Sequence, residues 1–95
     1  MSDMKERLRK RVTELTDIIG VSGYEWDVAK YIYHQLKDHV DSIEQMPNGT
    51  IVAIKKGAHP GPRVMVTAHM DEVGFMVHSV CPNGTLRFIP LGGWV

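Results

Sequence analysis

Between residues 38 and 42 the apolar side chains of this chain change period, from steps of three and four to steps of two. That change restricts the fold to helices followed by strands. Before it, Met4, Leu8, Val12, Leu15, Ile18 and Ile19 share one face of a helix predicted over 3–19, with Lys5, Glu6, Arg9 and Lys10 largely off it. Gly20 is placed to end this helix, because glycine takes the left-handed conformation at no steric cost. Ser22-Gly23-Tyr24-Glu25 matches a capping box, in which the serine hydroxyl accepts from the amide three residues on and the glutamate reaches back. A second helix is predicted from there, with Val28, Ala29, Ile32, Leu36 and Val40 as its apolar stripe.

Beyond the change, 43–46 and 50–55 flank the turn Pro47-Asn48-Gly49 and read as a hairpin. A loop over 57–62 resets the direction, and 63–68, dominated by Val64, Met65 and Val66, reads as a buried strand. Two further strands, 73–80 and 85–90, surround Pro82-Asn83-Gly84. Pro-Asn-Gly-Thr thus occurs at 47–50 and again at 82–85, which shared turn chemistry explains better than a duplicated domain. The expected architecture is α/β, two N-terminal helices followed by about five strands of a mixed sheet.

Composition narrows the function. Eleven basic and eleven acidic side chains leave no net charge, which argues against a nucleic-acid or anionic-membrane binder. A chain of 95 residues has room for one small core, and a domain of this size buries roughly 60–65% of its unfolded surface. It is short for an active site assembled from many convergent side chains. One cysteine, Cys81, excludes an internal disulfide framework and a multi-cysteine zinc cluster, and fits a reducing compartment. The N-terminus lacks an apolar signal core, and no apolar run approaches the ~20 residues of a membrane span, so a cytoplasmic location is expected. Leu91-Gly92-Gly93-Trp94-Val95 follows directly on a predicted strand and reads as a connection into more structure.

The stretch from Val64 to Gly74 carries the most chemistry. An apolar strand runs into His69, Asp71 and Glu72, and the crevice beyond strand ends is where open α/β sheets place ligands. Residues two apart on a strand share a face, so Met65, Thr67, His69 and Asp71 can point the same way. An Asp accepting from one imidazole nitrogen fixes the tautomer and leaves the other lone pair for a cation. Such a pair is also common as a strand-end hydrogen bond, and the spacing alone leaves both readings open. His34 and His39, five apart, do not share a helix face and read as solvated. His59 and His78 read as structural or exposed, Cys81 as an inert thiol, Met65, Met70 and Met76 as core or cleft wall, and Trp26 and Trp94 as packing anchors.

Several segments, in order, resemble the glutamyl-aminopeptidase family of cytosolic metallopeptidases, which includes the TET aminopeptidases and proteins labelled cellulase M. They are Leu15-Thr16 with Gly20-Val21-Ser22-Gly23-Tyr24-Glu25, Asn48-Gly49-Thr50-Ile51-Val52-Ala53 with Lys55-Lys56-Gly57, Gly61-Pro62-Arg63-Val64-Met65 into Ala68-His69-Met70-Asp71-Glu72-Val73-Gly74-Phe75-Met76-Val77, and Gly84-Thr85-Leu86-Arg87-Phe88 to Leu91-Gly92-Gly93-Trp94. The third is the most specific. The resemblance implies that His69 ligates one of two divalent cations, zinc or cobalt, and that Asp71 is the catalytic-site carboxylate that orients it. By the same analogy Glu72 is not the base. It further implies that 1–95 is the N-terminal part of a metallo-aminopeptidase catalytic domain, ending near the start of an inserted second domain, with short peptides as substrates and a homo-oligomer as the complete enzyme. Family chains carry the bridging Asp, the base and the remaining ligands further along, so this chain alone is expected to be inactive. Two other readings stay open at this point: a non-catalytic fragment or association module, and a glycoside hydrolase. The latter needs two carboxylates flanking a sugar cleft, whereas Asp71 and Glu72 are adjacent and would face opposite sides of a continued strand.

Overall fold

A computed structural model describes residues 2–95. Two helices come first, α1 (Ser2–Thr16) and α2 (Trp26–Leu36), followed by β1 (Ser42–Gln45), β2 (Ile51–Ile54), β3 (Gly74–Val80) and β4 (Leu86–Leu91). Helix α1 stops short of the expected residue 19. Its last turn is closed by the Thr16 hydroxyl, which donates to the Val12 carbonyl at 2.8 Å, and by a tighter bond from the Ile18 N–H to the Leu15 carbonyl. Gly20 is not a left-handed cap. It is buried, and a Cβ there would overlap Val28 Cγ2, so its role is close approach of the linker to α2.

The expected capping box is realised only in part. Glu25 reaches back, but its Oε1 accepts from the Gly23 N–H at 2.7 Å, and Glu25 rather than Ser22 occupies the N-cap position, without a side-chain bond to the helix. The chain first turns at Val21–Tyr24, where Gly23 has φ 86°, and this turn delays the helix to Trp26.

Both hairpins form as expected. β1 pairs antiparallel with β2, Ile43 opposite Ala53, and β3 pairs antiparallel with β4, Phe75 opposite Pro90. Each turn uses the same parts: Asn48 Oδ1 accepts from the Thr50 N–H and Asn83 Oδ1 from the Thr85 N–H, with Gly49 and Gly84 at φ 91° and 85°. A bulge between Val77 and Ser79 leaves His78 out of the β3–β4 register and exposed.

The mixed sheet of about five strands is corrected to two separate two-stranded antiparallel sheets. Residues 63–68 have no ladder partner, and Val64, Met65 and Val66 are 81–90% exposed instead of buried. An apolar run becomes a buried strand only when neighbours supply both hydrogen bonds and a covering layer, and neither lies among the described residues. The parallel component is a single bridge, Val21 with Glu72.

The core is correspondingly small. Among the described residues the buried apolar side chains are Val28 (5% exposed) and Ala29 (2%), and the stripe Met4, Leu8 and Val12 on α1 is open. Of the methionines expected in a core or cleft wall, Met65 and Met76 are exposed and Met70 is half-buried. The accessible surface is 8610 Å², against about 5,500 Å² for a compact monomer of this mass. The radius of gyration is 17.9 Å, where a compact chain of this length has about 12 Å. None of the described helices is long and apolar enough to cross a membrane.

Candidate metal centre

His69 and Asp71 meet. The imidazole Nδ1 lies 3.0 Å from Asp71 Oδ1 and 2.9 Å from the Asp71 carbonyl oxygen, so two acceptors converge on one ring nitrogen. With Nδ1 carrying the proton, the lone pair sits on Nε2, and the His69 side chain is 84% exposed. The chemistry of this arrangement suits one imidazole ligand with its tautomer held by a carboxylate.

The residues around the pair are placed by backbone anchors. The Glu72 N–H donates to the Gly20 carbonyl at 2.8 Å, and Glu72 bridges Val21, which ties the site to the linker between the helices. From the other side the Trp94 indole N–H donates to the Gly74 carbonyl at 3.1 Å, and its ring stacks on Phe75 at 4.4 Å with the planes 8° apart. Trp94 is therefore a packing anchor, as expected. Trp26 is exposed. Residue spacing did not reveal that the Asp71 main chain shares in holding His69, or that Gly20 and Val21 hold Glu72, the residue after Asp71. Glycines at 20 and 74 were the available signal, since a glycine amid apolar neighbours marks close approach.

One imidazole does not make a site. Catalytic zinc takes about three protein ligands and keeps a position open. Among the described residues no group of three or more His, Cys, Asp or Glu side chains is placed to hold an ion. His69 fits as one ligand of such a set, and the set is not completed by these residues.

The other candidates stand apart. The His34 and Tyr33 rings are nearly perpendicular with centroids 5.8 Å apart, and His34 is exposed, as is His59 in its loop. Cys81 is a free thiol, half-buried at the β3–β4 turn, where its carbonyl accepts from the Gly84 N–H. His39 borders an open groove with Arg7, Arg11, Tyr31 and Lys55. Beside this groove the Tyr31 hydroxyl donates to Glu14 Oε2 at 2.5 Å; that hydrogen bond first, then desolvation and the Glu14 charge, raise the phenol pKa above 10.0, against a smaller pull from Arg11.

Comparison with known proteins places these residues among relatives. Residues 49–95 match the family described as M42 glutamyl aminopeptidase. A putative aminopeptidase from Acetivibrio thermocellus is 42% identical over 91 residues, covering 96% of this chain and 26% of that protein. Among solved structures, a TET aminopeptidase from a marine sediment archaeon of the Thaumarchaeota superposes with a TM-score of 0.82 at 31% identity, over 96% of this chain and 25% of the other. A Thermotoga maritima structure described as an endoglucanase gives a TM-score of 0.75 at 37% identity, over 85% of this chain and 26% of that one. The chain spans about a quarter of the length of the curated relatives it matches.

Proposed function

Since the chain belongs to the M42 glutamyl aminopeptidase family, we propose that it forms the N-terminal part of the catalytic domain of a divalent-metal-dependent aminopeptidase, which removes N-terminal residues from short peptides. The observation that carries this reading is the His69–Asp71 contact, which falls within the segment matched by the family. In this reading His69 offers Nε2 as one metal ligand, and Asp71 holds the ring in the tautomer that makes Nε2 available. The chemistry supplied by a divalent cation there, zinc or cobalt, is Lewis-acid polarisation of the scissile carbonyl. Glu72 keeps its backbone in the bridge to Val21 and is not assigned a proton-transfer role.

The remaining ligands and the general base belong to parts of the enzyme outside these residues, and 1–95 ends near the start of an inserted second domain. In the complete domain 63–68 becomes a paired strand, which accounts for the exposed run Val64-Met65-Val66. A cytoplasmic homo-oligomer, with no nucleic-acid or membrane partner, completes the proposal. The TET name of one structural neighbour supports the assembly.

The endoglucanase name of the Thermotoga neighbour favours a second reading, a glycoside hydrolase. Two carboxylates would have to divide acid and base roles across a sugar. Asp71 is engaged by His69, which makes it a poor member of such a pair.

The test is hydrolysis by the natively expressed protein of an aminoacyl anilide and of a β-glucan, with added zinc or cobalt and with chelator. Chelator-sensitive release of the N-terminal residue, lost together with bound metal in His69→Ala, is the expected result. Unchanged metal content in that variant overturns the site, and chelator-resistant sugar release would establish the second reading.

A further inference from the structure

His69 is too exposed to be held by burial, so its alignment with Asp71 depends on how the backbone just beyond Asp71 is fixed. Two of its fixings are hydrogen bonds, from Glu72 to Gly20 and from Trp94 to Gly74. A third is steric. A Cβ added at Gly74 would overlap Val21 Cγ1 and come within 3.4 Å of Val21 Cβ, so a side chain at 74 requires the Val21 side chain to move. Gly74 does not have a positive φ, whereas Gly23, Gly49, Gly84 and Gly92 do. Its glycine identity therefore answers to the contact with Val21 and not to backbone conformation.

We propose that the Gly74–Val21 contact is a positioning device for the metal centre, in which Gly74 is a positioning residue that sets the distance between Asp71 and His69. The proposal deepens the reading of His69 as a ligand and rests on it. Val21 is bridged to Glu72, and Glu72 follows Asp71 directly. Anything that pushes Val21 away from Gly74 loosens the Glu72–Gly20 bond and carries Asp71 with it. The imidazole then loses its fixed tautomer and direction, and metal affinity falls as for the loss of an orienting partner.

The experiment uses the natively expressed protein and reads three quantities: zinc affinity by competition with a chelator, amide exchange at Glu72, and thermal unfolding. Gly74→Ala is expected to weaken zinc by about tenfold or more and to speed exchange at Glu72. Val21→Ala in the same chain removes the overlapping methyl and is expected to restore both. Faster exchange with unchanged zinc affinity overturns the proposal, because the contact is then only structural. Failure of Val21→Ala to restore affinity also overturns it, since the effect then does not pass through Val21. Should Gly74→Ala not fold, Val21→Ile presses the same contact from the other side and carries the same expectations. His69→Ala is run in parallel. Zinc retained by that variant defeats the ligand reading itself, while zinc lost there but kept by Gly74→Ala defeats only the positioning role.

Discussion

Two oxygens of Asp71, Oδ1 at 3.0 Å and the main-chain carbonyl at 2.9 Å, face the same nitrogen of His69. The side chain and the backbone thus share one task. Removing the carboxylate leaves an acceptor for Nδ1 in place, whereas removing the imidazole takes away the proposed ligand atom Nε2 itself. Asp71→Ala is therefore expected to weaken metal binding by about tenfold, the lower end of the ~10–100-fold range for an orienting partner. His69→Ala is expected to abolish binding at this site, and metal titration of the two variants side by side checks the order.

The two hairpin turns give a separate prediction. Gly49 and Gly84 hold φ of 91° and 85°, where a side chain costs about 1–2 kcal/mol. The Asn48 and Asn83 bonds are exposed and contribute less. Gly84→Ala should therefore destabilise the protein by about 1–2 kcal/mol, more than Asn83→Ala does. Denaturant unfolding of the pair reads the difference.

Tyr31 gives a pH dependence. Its donated bond to Glu14 raises the phenol pKa above 10.0 in the folded chain, while in the unfolded chain the phenol keeps its ordinary value. The unfolded state then releases the proton first, and stability contributed by the contact is complete below about pH 10 and is lost as pH rises through the raised folded value. Ultraviolet titration should show a late-ionising tyrosine component that disappears in Tyr31→Phe and moves earlier in Glu14→Gln.

The exposed surface gives the last prediction. With 8610 Å² accessible and Val64, Met65 and Val66 unpaired, the 95-residue chain taken alone presents an apolar edge open to other chains. It is expected to self-associate in a concentration-dependent way. Val66→Lys, a charge on that edge, should shift the equilibrium toward monomer in sedimentation experiments.

Much of the local structure was legible in the residues. The period change near residue 40 separated helices from strands, and two Pro-Asn-Gly turns located both hairpins, because these signals act over a few neighbouring residues. That His69 and Asp71 lie within reach of one another was legible because they are two residues apart in the chain; the contacts that fix the backbone beside them, from Gly20 and Val21, were not. Gly20 misled, since glycine serves both helix ends and close approaches, and only the position of Val28 distinguishes them.

What the sequence determined by itself was the succession of two helices and two hairpins, their turns, and the proximity of His69 to Asp71. Tertiary structure alone decided that 63–68 lacks a ladder and that Gly20, Val21 and Trp94 converge on the residues beside His69. The physical reason is range. A turn is settled by local torsions, but a strand needs neighbours to accept its hydrogen bonds and bury its side chains, and those contacts depend on chain segments far away in sequence.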